Sequence, residues 1–223
     1  MEWQKWLRLK RGEHHYTKLL IVLLFAFFTP SLLNAWLLRM VIAILFLSLN
    51  LIILKTILTS SITLQVLKTL AVLFFLIDLF LAARESSYER WFLLASAIFQ
   101  SSFIGVSILA IGQDLFQKTK VTAEVLRGAI CVYLMIGFLW GIAFKIICLF
   151  DSNAFSNITL ENYIYKLNYF SFITLTTVGY GDITPQNHIA MSLANVEAII
   201  GQLFPAIVIA RLVGLYEAEK RED

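Results

Sequence analysis

Charge is what this sequence has least of: 15% of its residues are Asp, Glu, Lys or Arg, where a soluble domain carries about 25%. Two cysteines in 223 residues cannot build a disulfide framework. No cluster of acid, base and nucleophile stands out, so an enzyme is not expected and no catalytic residue is assigned. Eighteen basic against fifteen acidic residues leave a net charge of +3, too small to imply a nucleic-acid partner. What is present is apolar. Hydrophobic residues make up 59% and mean hydropathy is +0.79, which excludes disordered, fibrous and ordinary soluble chains. The composition is that of a membrane protein.

A helix needs about 20 apolar residues to cross a hydrocarbon core of about 30 Å. From Leu19 to Leu54 the one charge is Arg39, and Thr29-Pro30-Ser31 with Asn34 divides the run into helices at 18–33 and 36–54. Further spans are expected at 63–83, 91–113, 122–150 and 188–216, making six. Lys5, Arg8, Lys10, Arg11 and Lys18 precede the first span, and Lys55, Lys68, Lys118, Lys120 and Arg127 flank the loops on the same side. With Arg211, Lys220 and Arg221 at the other end, the positive-inside bias places both termini in the cytoplasm. A cleaved signal peptide is the rival reading of the start, but Leu33-Asn34-Ala35 is a poor cleavage site.

The segment 151–187 does not span. It opens on polar Asp151-Ser152-Asn153 and then carries an apolar, aromatic run from Tyr163 to Leu175. As a helix that run is about 20 Å long, too short to cross. Thr176-Thr177-Val178-Gly179-Tyr180-Gly181-Asp182 follows, with an exit through Thr184-Pro185. A short helix leading into a glycine-bearing extended stretch reads as a re-entrant loop, tolerated at membrane depth only where it lines water or is buried in protein.

Thr177-Val178-Gly179-Tyr180-Gly181 resembles the T-V-G-Y-G selectivity filter of the potassium channel family. Five fixed residues arise by chance about once in 10⁶ windows at ordinary usage, and this one follows a re-entrant helix between two spans. The residue types suit the chemistry. Gly179 and Gly181 reach positive φ without a Cβ penalty, letting successive carbonyls face one axis and replace an ion's hydration shell. Val178 and Tyr180 are then expected to pack the filter from behind. Thr177 adds a hydroxyl at the innermost site, and the end of the preceding helix favours a cation through its dipole.

The resemblance implies an all-α membrane protein with six transmembrane helices, a re-entrant pore helix and a filter loop. One filter strand per chain implies a homotetramer around the pore axis. It further implies a passive potassium-selective channel of bacterial type in the cell membrane, multi-pass, in the bacterial inner membrane. Potassium is the permeant ion and lipid the surroundings, with no cofactor and no nucleic acid. The chain divides into a cytoplasmic tail at 1–17, a peripheral four-helix bundle at 18–118, a pore domain at 119–216 and a tail at 217–223. Two other readings are a potassium transporter subunit and a non-conducting sensor that kept the pore fold. The first usually carries four degenerate loops in one chain, unlike the intact filter here.

Many relatives place two tryptophans behind the filter, where this chain has Tyr169 and Phe170. Tyr169-Phe170-Ser171-Phe172 is similar instead to pore helices of two-pore-domain channels. Thr176, Asp182, Tyr169 and Phe170 are the expected filter supports, with Tyr169 in reach of Asp182 and Phe170 lacking a donor for Tyr180. Trp91 to Gln113 contains no charge, so the fourth span has nothing for the membrane field to move and is not a voltage sensor.

In the last span Gly201 and Pro205 fall on one turn, where proline removes the hydrogen bond to the Gly201 carbonyl. This is a gating hinge or a fixed kink, with Gln202 facing the cavity. Glu197, one turn earlier, is expected to face the pore helix and to need a donor or a proton there. Arg39, Asp78 and Lys145 are expected to pair within the membrane. His14 and His15 are neighbours and make no metal site, and His188 sits at the outer mouth. Asn157-Ile158-Thr159 is a glycosylation triplet of meaning only in a eukaryotic secretory pathway.

Overall fold

A computed structural model describes residues 15–32, 90–159 and 163–222. The expected spans at 36–54 and 63–83, together with Arg39, Asp78 and His14, lie outside the described residues. Among the described residues five helices occur in order: α1 (His15–Leu32), α2 (Arg90–Gln117), α3 (Ala123–Phe150), α4 (Tyr163–Leu175) and α5 (His188–Glu222). No strand occurs among the described residues, where the one bridge pairs Phe155 with Pro185. Each of α2, α3 and α5 is long and apolar enough to cross a membrane, while the apolar stretch of α1 is shorter.

The ends of these helices have local causes. Asn187 caps α5: its side-chain oxygen accepts the Ala190 N–H at 2.8 Å, while its amide donates to Asp151 at 2.7 Å. Asp151 is the residue after α3, so one side chain ties the exit of α3 to the entry of α5. α1 runs through Pro30 to Leu32, one residue short of the end expected at 33. α5 runs six residues beyond Tyr216, because Glu217-Ala218-Glu219-Lys220 are good helix formers that no longer need lipid.

The residues group into two units. In the first, Tyr16, Leu19 and Leu23 are buried, with Ile111, Leu115, Val125 and Cys131. A polar cluster sits at its edge. The Tyr16 hydroxyl donates to Asp114 at 2.8 Å, and Thr17 donates to Glu124 at 3.0 Å while accepting from Arg127 at 3.1 Å. Arg127 also pairs with Glu124 at 3.1 Å.

The second unit holds α4, α5 and the part of α3 from Val132 onward. Phe144, Phe155 and Phe170 form a triangle of T-shaped contacts with ring centroids 5.1–5.4 Å apart. Leu167, Ile183, Ala190 and Ala194 complete this core, and α4 packs along α5. Small residues set the spacing between α3 and α4. A Cβ on Gly137 would stand 2.5 Å from the Phe172 ring, and one on Gly141 would stand 2.1 Å from the Asn168 side chain.

Candidate ion-conduction site

The stretch from Thr177 to Gly181 begins where α4 ends, and the ending is a Schellman motif. Val178 N donates to the Ile173 carbonyl at 2.9 Å, and Thr177 N donates to the Thr174 carbonyl at 2.9 Å. The motif needs a left-handed residue at Thr177, and its φ is +60°. Glycine usually fills that place, and a β-branched residue there costs about 1–2 kcal/mol. Thr176 closes the last turn, its hydroxyl donating to the Phe172 carbonyl at 2.6 Å.

Beyond Thr177 the backbone alternates in hand. Thr177, Gly179 and Gly181 have φ of +60°, +53° and +76°, and Val178 and Tyr180 between them are not in the left-handed region. An ordinary extended strand points successive carbonyls to opposite faces. Alternating hand turns them towards one face, giving a row of oxygens on a short stretch of chain. Nothing lies within 4 Å of a Cβ placed on Gly179 or Gly181, so the backbone conformation, not space, calls for glycine there.

A strap from the loop after α3 holds the C-terminal end of this stretch. Ser156 N donates to the Thr184 carbonyl at 2.9 Å, Gln186 N donates to the Ala154 carbonyl at 2.8 Å, and the Ser156 and Thr184 hydroxyls meet at 2.9 Å. The Asn157 amide donates to the Asp182 carbonyl at 2.8 Å. Asn157 itself is left-handed at φ +55°, a conformation asparagine tolerates, and its carbonyl accepts from Lys166. The Tyr169 hydroxyl lies within electrostatic reach of the Asp182 carboxylate.

At the N-terminal end, Gln202 of α5 donates to the Thr177 hydroxyl at 3.0 Å. Gly201 before it is buried, with the Leu175 carbonyl oxygen 1.8 Å from where its Cβ would stand. Tyr133 of α3 stacks on Phe204 at 5.9 Å and points its hydroxyl at the same carbonyl from 3.3 Å. Glu197 is fully buried, and the Ser171 hydroxyl of α4 lies 2.5 Å from its Oε1 and 2.7 Å from the Gly137 carbonyl.

These elements lie together on one stretch of sequence. Residues 128–218 match the family described as Ion channel. The match runs from Gly128 in α3 through α4 and the filter stretch into α5, and with the apolar helices it supports a membrane ion channel. Over 53 residues, 24% of this chain, the sequence is 40% identical to Protein LctB of Geobacillus stearothermophilus, and it spans 37% of that protein's length. No solved structure matches the chain.

The structure joins Gln202 to Thr177 at one end of the stretch, ties Thr176 back to Phe172, and sets Asp182 with Asn157 and Tyr169 at the other end. Phe170 instead turns into the aromatic triangle with Phe144 and Phe155. Val178 and Tyr180 are 52% and 72% exposed, so the expected packing from behind does not come from their own chain. The turn at Gly201 has a packing reason, the close approach to Leu175, and Pro205 lies inside α5, which continues past it to Glu222. Sequence reasoning missed Ser156, Ser171 and Tyr133, and took Asn157 only as a glycosylation acceptor. Its amide nitrogen is already engaged with the filter exit.

Proposed function

We propose that this chain is one subunit of a potassium-selective channel that conducts passively through a pore on the axis of a homotetramer. The alternating hand of Thr177 to Gly181 carries the reading, because it offers a row of carbonyls able to replace the hydration shell of a monovalent cation. A single row ligates from one side only, and four related rows surround the ion. The exposure of Val178 and Tyr180 in one chain supports assembly, since neighbouring copies would cover them.

In this reading Thr177 supplies the innermost ligands and Gln202 fixes its hydroxyl at the top of the cavity. Asp182 with Tyr169 and Asn157 steadies the outer end. Gly201 is held against the pore helix, so movement of α5 starts at Pro205 and beyond. The chain lies in a cell membrane with both termini in the cytoplasm. α2 carries no charge between Trp91 and Gln113 and takes no part in sensing voltage. Liposomes containing the purified protein should take up tracer rubidium down a potassium gradient at a rate above that of empty liposomes. Equal rates would contradict the proposal.

A further inference from the structure

On α4 one serine hydroxyl stands between two oxygens that ordinarily accept hydrogen bonds. The Ser171 hydroxyl stands 2.7 Å from the Gly137 carbonyl and 2.5 Å from Glu197 Oε1, both within the ordinary O–H···O range. A hydroxyl has one proton, and a carbonyl and a carboxylate are both acceptors. Two such contacts therefore need a second proton, and the carboxyl is the group that can carry it. Its surroundings agree. Glu197 is 0% exposed, and its other oxygen has no hydrogen-bond partner among the described residues. A buried carboxylate with one donor and no counter-charge is costly, whereas a neutral acid is tolerated.

The groups facing Glu197 do not alter this. On α3, Tyr133 is within electrostatic reach, with its hydroxyl turned to the Leu175 carbonyl. Lys145 lies two turns further along α3, about 12 Å by helical rise from Gly137. On α4, Lys166 bonds the Asn157 carbonyl, Tyr169 is within electrostatic reach of Asp182 and Tyr165 is exposed. No other titratable residue lies within one turn of Glu197 on α5. Because the carboxyl is enclosed within its own chain, assembly adds no neighbour to it.

We propose that Glu197 is a positioning residue for the filter, acting as a neutral carboxylic acid that donates to Ser171 while Ser171 donates to the Gly137 carbonyl. One relay then joins α5, α4 and α3 behind the helix whose end carries Thr177. Loss of the proton leaves one hydroxyl proton between two acceptors, so one link breaks and the pore helix loses its tie to one neighbour. Raising pH is therefore expected to lower conduction, and the inward face of the filter is the part released.

Two measurements test this. Infrared spectra of the purified protein at neutral pH should show the carbonyl stretch of a protonated carboxylic acid that is missing in Glu197→Gln. The same band should move in Ser171→Ala, where its acceptor is gone. In reconstituted channels, current should fall as pH rises in the unmutated protein but not in Glu197→Gln, whose amide can still donate to Ser171. Absence of the protonated band would overturn the proposal, as would the same alkaline fall in Glu197→Gln. The second measurement rests on the channel reading. The first does not, so a protein that failed to conduct would still decide the protonation state.

Discussion

The Leu175 carbonyl oxygen lies 1.8 Å from where a Cβ on Gly201 would stand, so α5 meets the end of α4 backbone to backbone. The obstructing atom is main chain and cannot rotate away. Gly201→Ala should therefore force the two helices apart and cost about 1–3 kcal/mol or more. Gly105→Ala, where nothing lies within 4 Å, should stabilise by up to about 1 kcal/mol. Thermal unfolding in detergent compares the two. Equal melting temperatures would mean that Gly201 is free to hinge after all.

The bond from Gln202 to Thr177, 3.0 Å long, ties α5 to the first residue of the proposed filter. Removing it from either side, with Thr177→Val or Gln202→Leu, should show an interaction energy of about 1 kcal/mol in a double-mutant cycle. That is a factor of about five in potassium affinity, read as potassium-dependent thermal stabilisation. Strictly additive effects would show that the two side chains act independently.

Asn157 contributes both a left-handed backbone and a donor to Asp182. Asn157→Gly keeps the first and loses the second, at about 0.5–1.5 kcal/mol. Asn157→Ala loses both and should cost about 1 kcal/mol more. Chemical denaturation ranks them, and an alanine variant as stable as the glycine one would remove the conformational part of this account.

Phe170 is held between Phe144 and Phe155, with centroids 5.1 Å from each. Phe170→Ala should cost about 3–5 kcal/mol. Phe170→Trp, which brings in the residue many related pore helices use, should also destabilise, by about 1–3 kcal/mol, because the triangle leaves no room. A tryptophan variant with a raised melting temperature would show that the cluster is looser than its geometry.

The pore helix was legible in the sequence. Its 13 residues are bounded by polar Asp151-Ser152-Asn153 upstream and by Thr176-Thr177 downstream, and the structure gives Tyr163–Leu175. The end of α5 was not legible from hydropathy, which marks where lipid ends and not where helical residues stop. In the filter, the glycines announce positive φ, but nothing in a threonine does. Its left-handed φ follows from the motif that ends α4. The Ser171 and Glu197 contact joins residues 26 apart, and only the register between two packed helices fixes it. Gly201 reads equally as a weak point or a close approach until the partner helix is in place.

The central claim is that the stretch from Thr177 to Gly181 selects potassium. The reversal potential of the reconstituted protein, with potassium on one side of the bilayer and sodium on the other, tests it most directly. The account predicts a large potential of the sign set by potassium, shifting with its gradient and insensitive to sodium. A potential near zero under these conditions, or one that ignores the potassium gradient, would contradict it.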